Sequence, residues 1–112
     1  MKKLFAIALL AAGLASAQTL QHSATLTWTD TVNPSGTTYN VYRATGLCSG
    51  TPTFSKLATA VTPKTYQDTT VTPGSYCFAV TAVFQGVESP MSNSVVANVP
   101  TFPPAQLSVV TQ

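Results

Sequence analysis

The stretch Val71-Thr72-Pro73-Gly74-Ser75-Tyr76-Cys77-Phe78-Ala79-Val80-Thr81-Ala82-Val83 decides how the rest of the chain is read. Pro73-Gly74 is turn chemistry, since proline presets the backbone at the first turn position and glycine tolerates the second. Beyond it Tyr76, Phe78, Val80 and Ala82 alternate with Cys77, Ala79 and Thr81, the period of a strand that lays one face on a core. The stretch therefore predicts a turn feeding a central strand, and that strand carries one of only two cysteines in the chain.

Working outward, no window shows a helical apolar period, whereas Thr, Val and Tyr are frequent and Pro and Gly punctuate at short intervals. That pattern predicts an all-β sandwich of short antiparallel strands. Over residues 23–29, Ala24, Leu26 and Trp28 share one face and Thr25, Thr27 and Thr29 the other. Trp28 lies on the inward face with Leu26, so core packing is preferred to a sugar-stacking platform. Residues 30–36 read as a loop, and the proline that follows Asn33 excludes N-glycosylation there. A second strand over 37–44 turns Tyr39 and Val41 inward and leaves Tyr42 on the open face. Cys48 sits in a turn-rich connection over 46–52. Short strands follow over 54–58, through Leu57, and over 65–68, anchored by Tyr66, with Pro63 confining any pairing between them to an edge. Residues 85–90, with Gln85 and Glu88, read as a loop, and residues 94–99 as a last strand stopped by Pro100. The count is six strands.

The two ends differ from this body. Lys2 and Lys3, the apolar run over 4–14 and Ala15-Ser16-Ala17 form the pattern of a secretory signal peptide over residues 1–17. An apolar run of about 11 residues is too short to span about 30 Å of hydrocarbon, so no membrane insertion is expected after cleavage. Without that segment, Arg43, Lys56 and Lys64 balance Asp30, Asp68 and Glu88, and the formal charge of +2 falls to zero. No basic surface remains to track a nucleic-acid backbone. In an exported chain of this size, Cys48 and Cys77 read as one disulfide, with free buried thiols as the alternative.

In order and spacing the chain resembles a fibronectin type III domain over residues 23–100. The marks are Leu26-Thr27-Trp28, Tyr39-Asn40-Val41-Tyr42-Arg43, Thr65-Tyr66-Gln67-Asp68-Thr69, Val71-Thr72-Pro73-Gly74 before Tyr76, Thr81-Ala82-Val83 and Glu88-Ser89-Pro90-Met91-Ser92-Asn93. The resemblance implies an immunoglobulin-like sandwich of six to seven strands within a domain over 18–100. It also implies that Tyr76 is a corner tyrosine whose hydroxyl ties back to the preceding connection. Three departures stand out. The spacer before Tyr76 is one residue short, Arg-Gly-Asp is absent from residues 85–93, and residues 18–23 leave no room for the usual first strand. On this topology the strands before Cys48 and from Cys77 are antiparallel neighbours, so the disulfide is geometrically allowed. With Tyr76 and Phe78 inward, Cys77 is expected on the outer surface of the sheet.

The missing opener has a counterpart at the other end. In the tail over 101–112, Pro103 and Pro104 precede Leu107 and Val109 in the alternation that begins a type III repeat. Three placements are open: a proline-stiffened linker, a strand folded back on its own domain, or a strand donated head to tail to a second copy.

Chemistry is sparse. His22 is the single histidine, without thiolates or carboxylates beside it, so no metal site is expected. The three acids are dispersed and read as charged loop tips, although Asp30 and Glu88 fall at the same pole. No phosphate-binding glycine loop and no cofactor motif occurs. The expectation is a secreted, extracellular or periplasmic, non-enzymatic module serving as an adhesive, matrix or assembly subunit. Its partner would be a cell-surface protein or glycan, with a carbohydrate-binding or spacer role as the alternative. Asn33, Gln85 and Glu88 at the loop pole and Tyr42 on the open face are the candidate contact residues.

Overall fold

The computed structural model describes residues 21–103. The stretch that organised the reading of the sequence is β5 (Gly74–Phe84), the longest strand and the spine of the larger sheet. It pairs antiparallel along β2 (Thr38–Thr45), from Thr38 opposite Val83 to Thr45 opposite Tyr76. β3 (Ser55–Val61) lies on the far side of β2. The other side of β5 is shared, by β7 (Val95–Val99) along its first half and by β6 (Val87–Glu88) near its end. The second sheet is a two-stranded pair, β1 (Ala24–Thr27) with β4 (Thr65–Asp68), Leu26 standing opposite Tyr66. Every paired strand is antiparallel, and two such sheets closing on one core make the β-sandwich.

Between the sheets, Ala24, Leu26 and Trp28 meet Tyr39, Val41, Phe78, Val80, Ala97 and Val99, with Leu57, Tyr66, Tyr76 and Val95 at the margins. The period-2 alternation of β1, β2 and β5 puts these residues on the inner faces, and burying a Leu or Phe of this kind contributes about 1.5–3 kcal/mol. Trp28 and Tyr39 pack edge to face across the sheets, with ring centroids 5.4 Å apart. Trp28 is thus a core residue, 4% exposed.

Three expectations need correction. Residues 85–90 are not a plain loop: Phe84 pairs with Val87 across Gln85-Gly86, both at positive φ (51° and 78°), the two-residue turn whose twist suits a hairpin. This adds a seventh strand. The strand expected over 54–58 runs on to Val61 because a bulge absorbs the register. Thr59 and Ala60 face the single residue Asn40, with Ala60 at φ 57°. Lastly, Cys77 points to the outer face, as its alternation requires, yet is fully buried. It is joined to Cys48, with Cα atoms 5.1 Å apart, and Gly46 N–H donates to Ser75 C=O at 2.8 Å. The connection that carries Cys48 is thereby folded down over the sheet, so the disulfide lies under a cover instead of on an open surface.

Candidate functional site

The three acids divide the molecule into three hydrogen-bonded sites, and none of them is an isolated loop-tip charge.

Glu88 lies on β6, and the hairpin brings its carboxylate over the open face of β2 and β5. Its Oε2 accepts from Asn40 Nδ2 at 3.1 Å, from Thr81 Oγ1 at 2.7 Å and from the Tyr42 hydroxyl. Asn40 and Thr81 are cross-strand partners, so strand pairing preassembles the site. Asn40 is buried, and its Oδ1 accepts from Thr59 Oγ1 at 3.0 Å and from the Ala60 amide at 3.3 Å, tying the bulge to the same cluster. The bond from Thr81, followed by those from Tyr42 and Asn40, lowers the Glu88 carboxyl from 4.5 to about 2. The same contact, led by the bond to Glu88, raises the Tyr42 hydroxyl above its ordinary value. Lys56 Nζ lies 6.0 Å from the Tyr42 ring centroid. Tyr42 and Glu88, assigned from sequence to two separate patches, therefore belong to one cluster.

Asp30 organises the loop over 30–36. It accepts from the amides of Val32 and Asn33 at 3.1 and 3.2 Å, from Asn33 Nδ2 at 2.8 Å and from the Tyr39 hydroxyl at 2.8 Å. Burial by itself would raise its pKa. The side-chain bonds from Asn33 and Tyr39 and the two amides outweigh this and hold the carboxyl well below the usual carboxylate range. Burial first, then the charge it faces, pushes Tyr39 up to about 12. A cleft of about 150 Å³ lies beside this loop, lined by Asp30, Asn33, Val80, Ser89 and Ser92 among others.

Asp68 occupies the opposite pole and is 2% exposed. Its Oδ2 meets Arg43 Nη1 at 2.8 Å, and its Oδ1 accepts from the Thr70 amide and hydroxyl at 2.9 and 2.6 Å. Arg43 also donates to Thr70 Oγ1 at 2.8 Å, and its guanidinium sits 5.1 Å above the Tyr76 ring. Arg43 follows Tyr39 and Val41 on the inner side of β2, so the pair bridges the two sheets. The Thr72 amide donates to the Tyr76 hydroxyl at 3.1 Å, and this bond together with the Thr72 side chain lowers the Tyr76 pKa. Thr81 lies beside Tyr42 on the open face, as its alternation predicts, whereas Arg43, Asn40 and Thr70 are not marked by sequence as site residues. For Arg43 the signal was its alternation with Tyr39 and Val41, which points a charge inward and demands a partner.

Ser89 and Ser92 repair the broken edge of β5. Their amides donate to Ala82 and Val80 carbonyls, both at 2.8 Å, and their hydroxyls accept from the Ala82 and Val80 amides at 2.9 and 3.1 Å. Pro90 stands between them, where a continuous ladder cannot run.

Of the candidate contact residues, Asn33, Gln85 and Glu88 are exposed and Tyr42 is half-buried, and Val32 (86%) and Val87 (73%) are exposed beside them. A groove of about 380 Å³ joins Asn33, Gln85 and Val87, lined also by Ala82, Phe84 and Ser89. The loop over 30–36 and the hairpin thus form one exposed pole with a mainly apolar groove carrying the polar groups of Asn33, Gln85 and Ser89. Among the described residues no group of His, Cys, Asp and Glu could hold a metal ion, and no helix is long and apolar enough to cross a membrane. Of the tail residues, Pro103 is exposed, whereas Pro104, Leu107 and Val109 lie outside the described residues, as do residues 1–17.

The chain is 34% identical to an Fn3-like protein from Clostridium thermocellum of known crystal structure, over 73% of this chain and 81% of that one, with a TM-score of 0.57. It superposes on the fourth FNIII domain of a human protein, solved in solution, with a TM-score of 0.59 at 17% identity, over 94% of this chain and 83% of that one. This second likeness concerns the fold alone. No family model matches the chain, and no curated protein matches it in sequence.

Proposed function

The chain belongs to the fibronectin type III family, and from that premise we propose that it is an exported, non-catalytic adhesive or matrix module that recognises a protein surface through its loop pole. Domains of this family are generally non-catalytic, and the covered disulfide is compatible with an extracellular or periplasmic setting. The observation that carries the reading is the pole of Val32, Asn33, Gln85 and Val87. Val87 lines a mainly apolar groove with Ala82 and Phe84, Asn33 and Gln85 add polar groups to it, and the exposed Val32 stands next to Asn33, on a hairpin and loop each held by its own carboxylate hub. Loops fixed on a rigid sandwich are a common place for recognition, and an apolar groove with polar groups beside it suits a protein partner. The acids favour the same reading. Glu88, Asp30 and Asp68 each accept several hydrogen bonds from their own surroundings, a structural use of the carboxylates that favours a binding module over a hydrolase.

The experiment is binding of the chain from Gln18 onward to envelope fragments of the source organism, before and after treatment with protease or with periodate. Binding abolished by protease and kept after periodate is the expected result. Binding abolished by periodate and kept after protease replaces this reading with the carbohydrate-binding one. No binding to either preparation refutes recognition of the cell surface.

A further inference from the structure

The groove at the loop pole is lined by Asn33, Ala82, Phe84, Gln85, Val87 and Ser89, none of them ionisable. The acids of the adjoining loop and hairpin, Asp30 and Glu88, already accept from Asn33 and Tyr39 and from Asn40, Tyr42 and Thr81. A charged ligand group would lose its water here without meeting a counter-charge. The apolar wall is preformed. Phe84 stands opposite Val87 in the hairpin, and its ring is braced by the opposing loop, since a Cβ at Gly36 would stand 3.8 Å from Phe84 Cε1.

Of the polar side chains on that wall, two carboxamides keep bonding capacity. Ser89 Oγ accepts from the Ala82 amide at 2.9 Å and donates to Pro90 C=O at 2.8 Å. Asn33 Nδ2 donates to Asp30 Oδ2 at 2.8 Å, which turns the nitrogen of the carboxamide toward the carboxylate and leaves Oδ1 as an acceptor. Gln85 makes no side-chain bond among the described residues, so it offers both an acceptor and donors. Gln85 also sits at φ 51°, before Gly86 at φ 78°. Asparagine adopts this left-handed conformation more readily and is the favoured first residue of such a turn. A residue that strains the turn while lining the groove points to a use for its side chain, whose carboxamide stands one methylene farther from the backbone than asparagine's.

Resting on the reading of this pole as a protein-binding surface, we propose that its partner is an uncharged, extended peptide segment held by Gln85 and Asn33. One apolar side chain of the peptide enters beside Phe84 and Val87. Gln85 pairs with the peptide backbone as donor and acceptor, and Asn33 Oδ1 accepts from a backbone amide. A carboxamide matches the peptide unit group for group, donor to carbonyl and acceptor to amide. A glycan fits less well, because a mainly apolar wall with two remaining polar residues leaves most sugar hydroxyls unmet.

The test is selection of phage-displayed random peptides on the chain from Gln18 to Gln112, followed by NMR titration with the recovered peptide, synthesised with blocked ends. The expected peptides share an uncharged core with one Leu, Ile, Met or Phe, and they shift the side-chain amide signals of Asn33 and Gln85. Their affinity is expected to change less than about threefold between about 0.05 and about 1 M salt. Gln85→Asn shortens the stem and Gln85→Glu keeps the length but loses the donors, and each is expected to stay folded and bind about tenfold or more weakly. Convergence on a charged core, a loss of about tenfold in high salt, or native affinity in both Gln85 variants overturns the proposal. If Val32→Glu/Val87→Glu loses binding while both Gln85 variants keep it, the pole still binds protein and only the carboxamide pairing fails. Peptide binding undiminished in the valine variant overturns the reading of the pole as well. If no peptide is enriched, the proposal fails, and binding to a glycan panel in its place assigns the groove to carbohydrate.

Discussion

Removing the disulfide is expected to cost this domain a large part of its stability without changing its native structure. Cys48 and Cys77 are separated by 29 residues in the sequence. Closing a loop of about 30 residues removes about 12 cal/mol/K of entropy from the unfolded chain, or about 3.6 kcal/mol at 25 °C. Small domains hold about 5–15 kcal/mol in total, so this is no minor fraction. For a domain of this length 1 kcal/mol moves Tm by about 4–8 °C, and the bond therefore accounts for about 15–30 °C. The effect acts on the unfolded ensemble. The Ala44–Cys77–Val96 row of cross-strand partners is built by ladder pairing and should persist without the bond. The assay is calorimetry of the oxidised protein, the reduced protein and the Cys48→Ala/Cys77→Ala double variant, with near-ultraviolet circular dichroism as a check on the fold. A loss of less than about 5 °C in both reduced forms would refute the loop-closure argument. A large loss accompanied by a changed native spectrum would show that the bond shapes the connection over 46–54 and does more than restrict the unfolded chain.

Three further outcomes follow from the carboxylate sites and the hairpin. Asp68→Ala leaves the half-buried Arg43 without its partner and should cost about 2–3 kcal/mol in urea unfolding, whereas Arg43→Met with Asp68→Leu should lie within about 1 kcal/mol of the native protein; equal losses for both would contradict an uncompensated charge as the cause. The Glu88 carboxyl is depressed from 4.5 to about 2 in the folded state, so its contribution is fully present above about pH 4.5 and is lost as the pH falls toward 2. Glu88→Gln should flatten stability against pH in that window, as read by urea midpoints, and an unchanged slope would count against the hub. Gln85 occupies a left-handed conformation at φ 51°, so Gln85→Asn should raise stability by about 0.5–1 kcal/mol, and a measured loss would argue against the two-residue turn.

The inner faces of β1, β2 and β5 were legible because alternation is a local property of the chain, and Trp28, Tyr39, Phe78 and Val80 could be placed from it alone. The pairing of Cys48 with Cys77 was legible for a different reason, since two cysteines in a chain leave one intramolecular connectivity. Hidden from sequence were features that depend on what lies opposite. Gln85-Gly86 is a weak hairpin signal beside Asn-Gly, so β6 was read as loop and Glu88 as a loop tip. The bulge at Ala60 exists because Thr59 and Ala60 bond the side chain of Asn40, a residue on another strand. The burial of Cys77 depends on where the connection over 46–54 falls, which no period encodes. Asp68 appeared to be one of three scattered charges, and only the inward direction of Arg43 at the end of its strand hinted that the two would meet.

The claim that this module works through the pole of Val32 and Val87 is tested most directly by comparing that pole with the opposite one in a single binding titration against envelope fragments of the source organism. The Val32→Glu/Val87→Glu variant should bind at least about tenfold more weakly than the native protein, a loss of about 1.4 kcal/mol. Leu47→Glu changes a residue of similar exposure beside Cys48, at the far pole, and should bind as the native protein does. Undiminished binding by the valine variant, or loss confined to Leu47→Glu, would contradict the account.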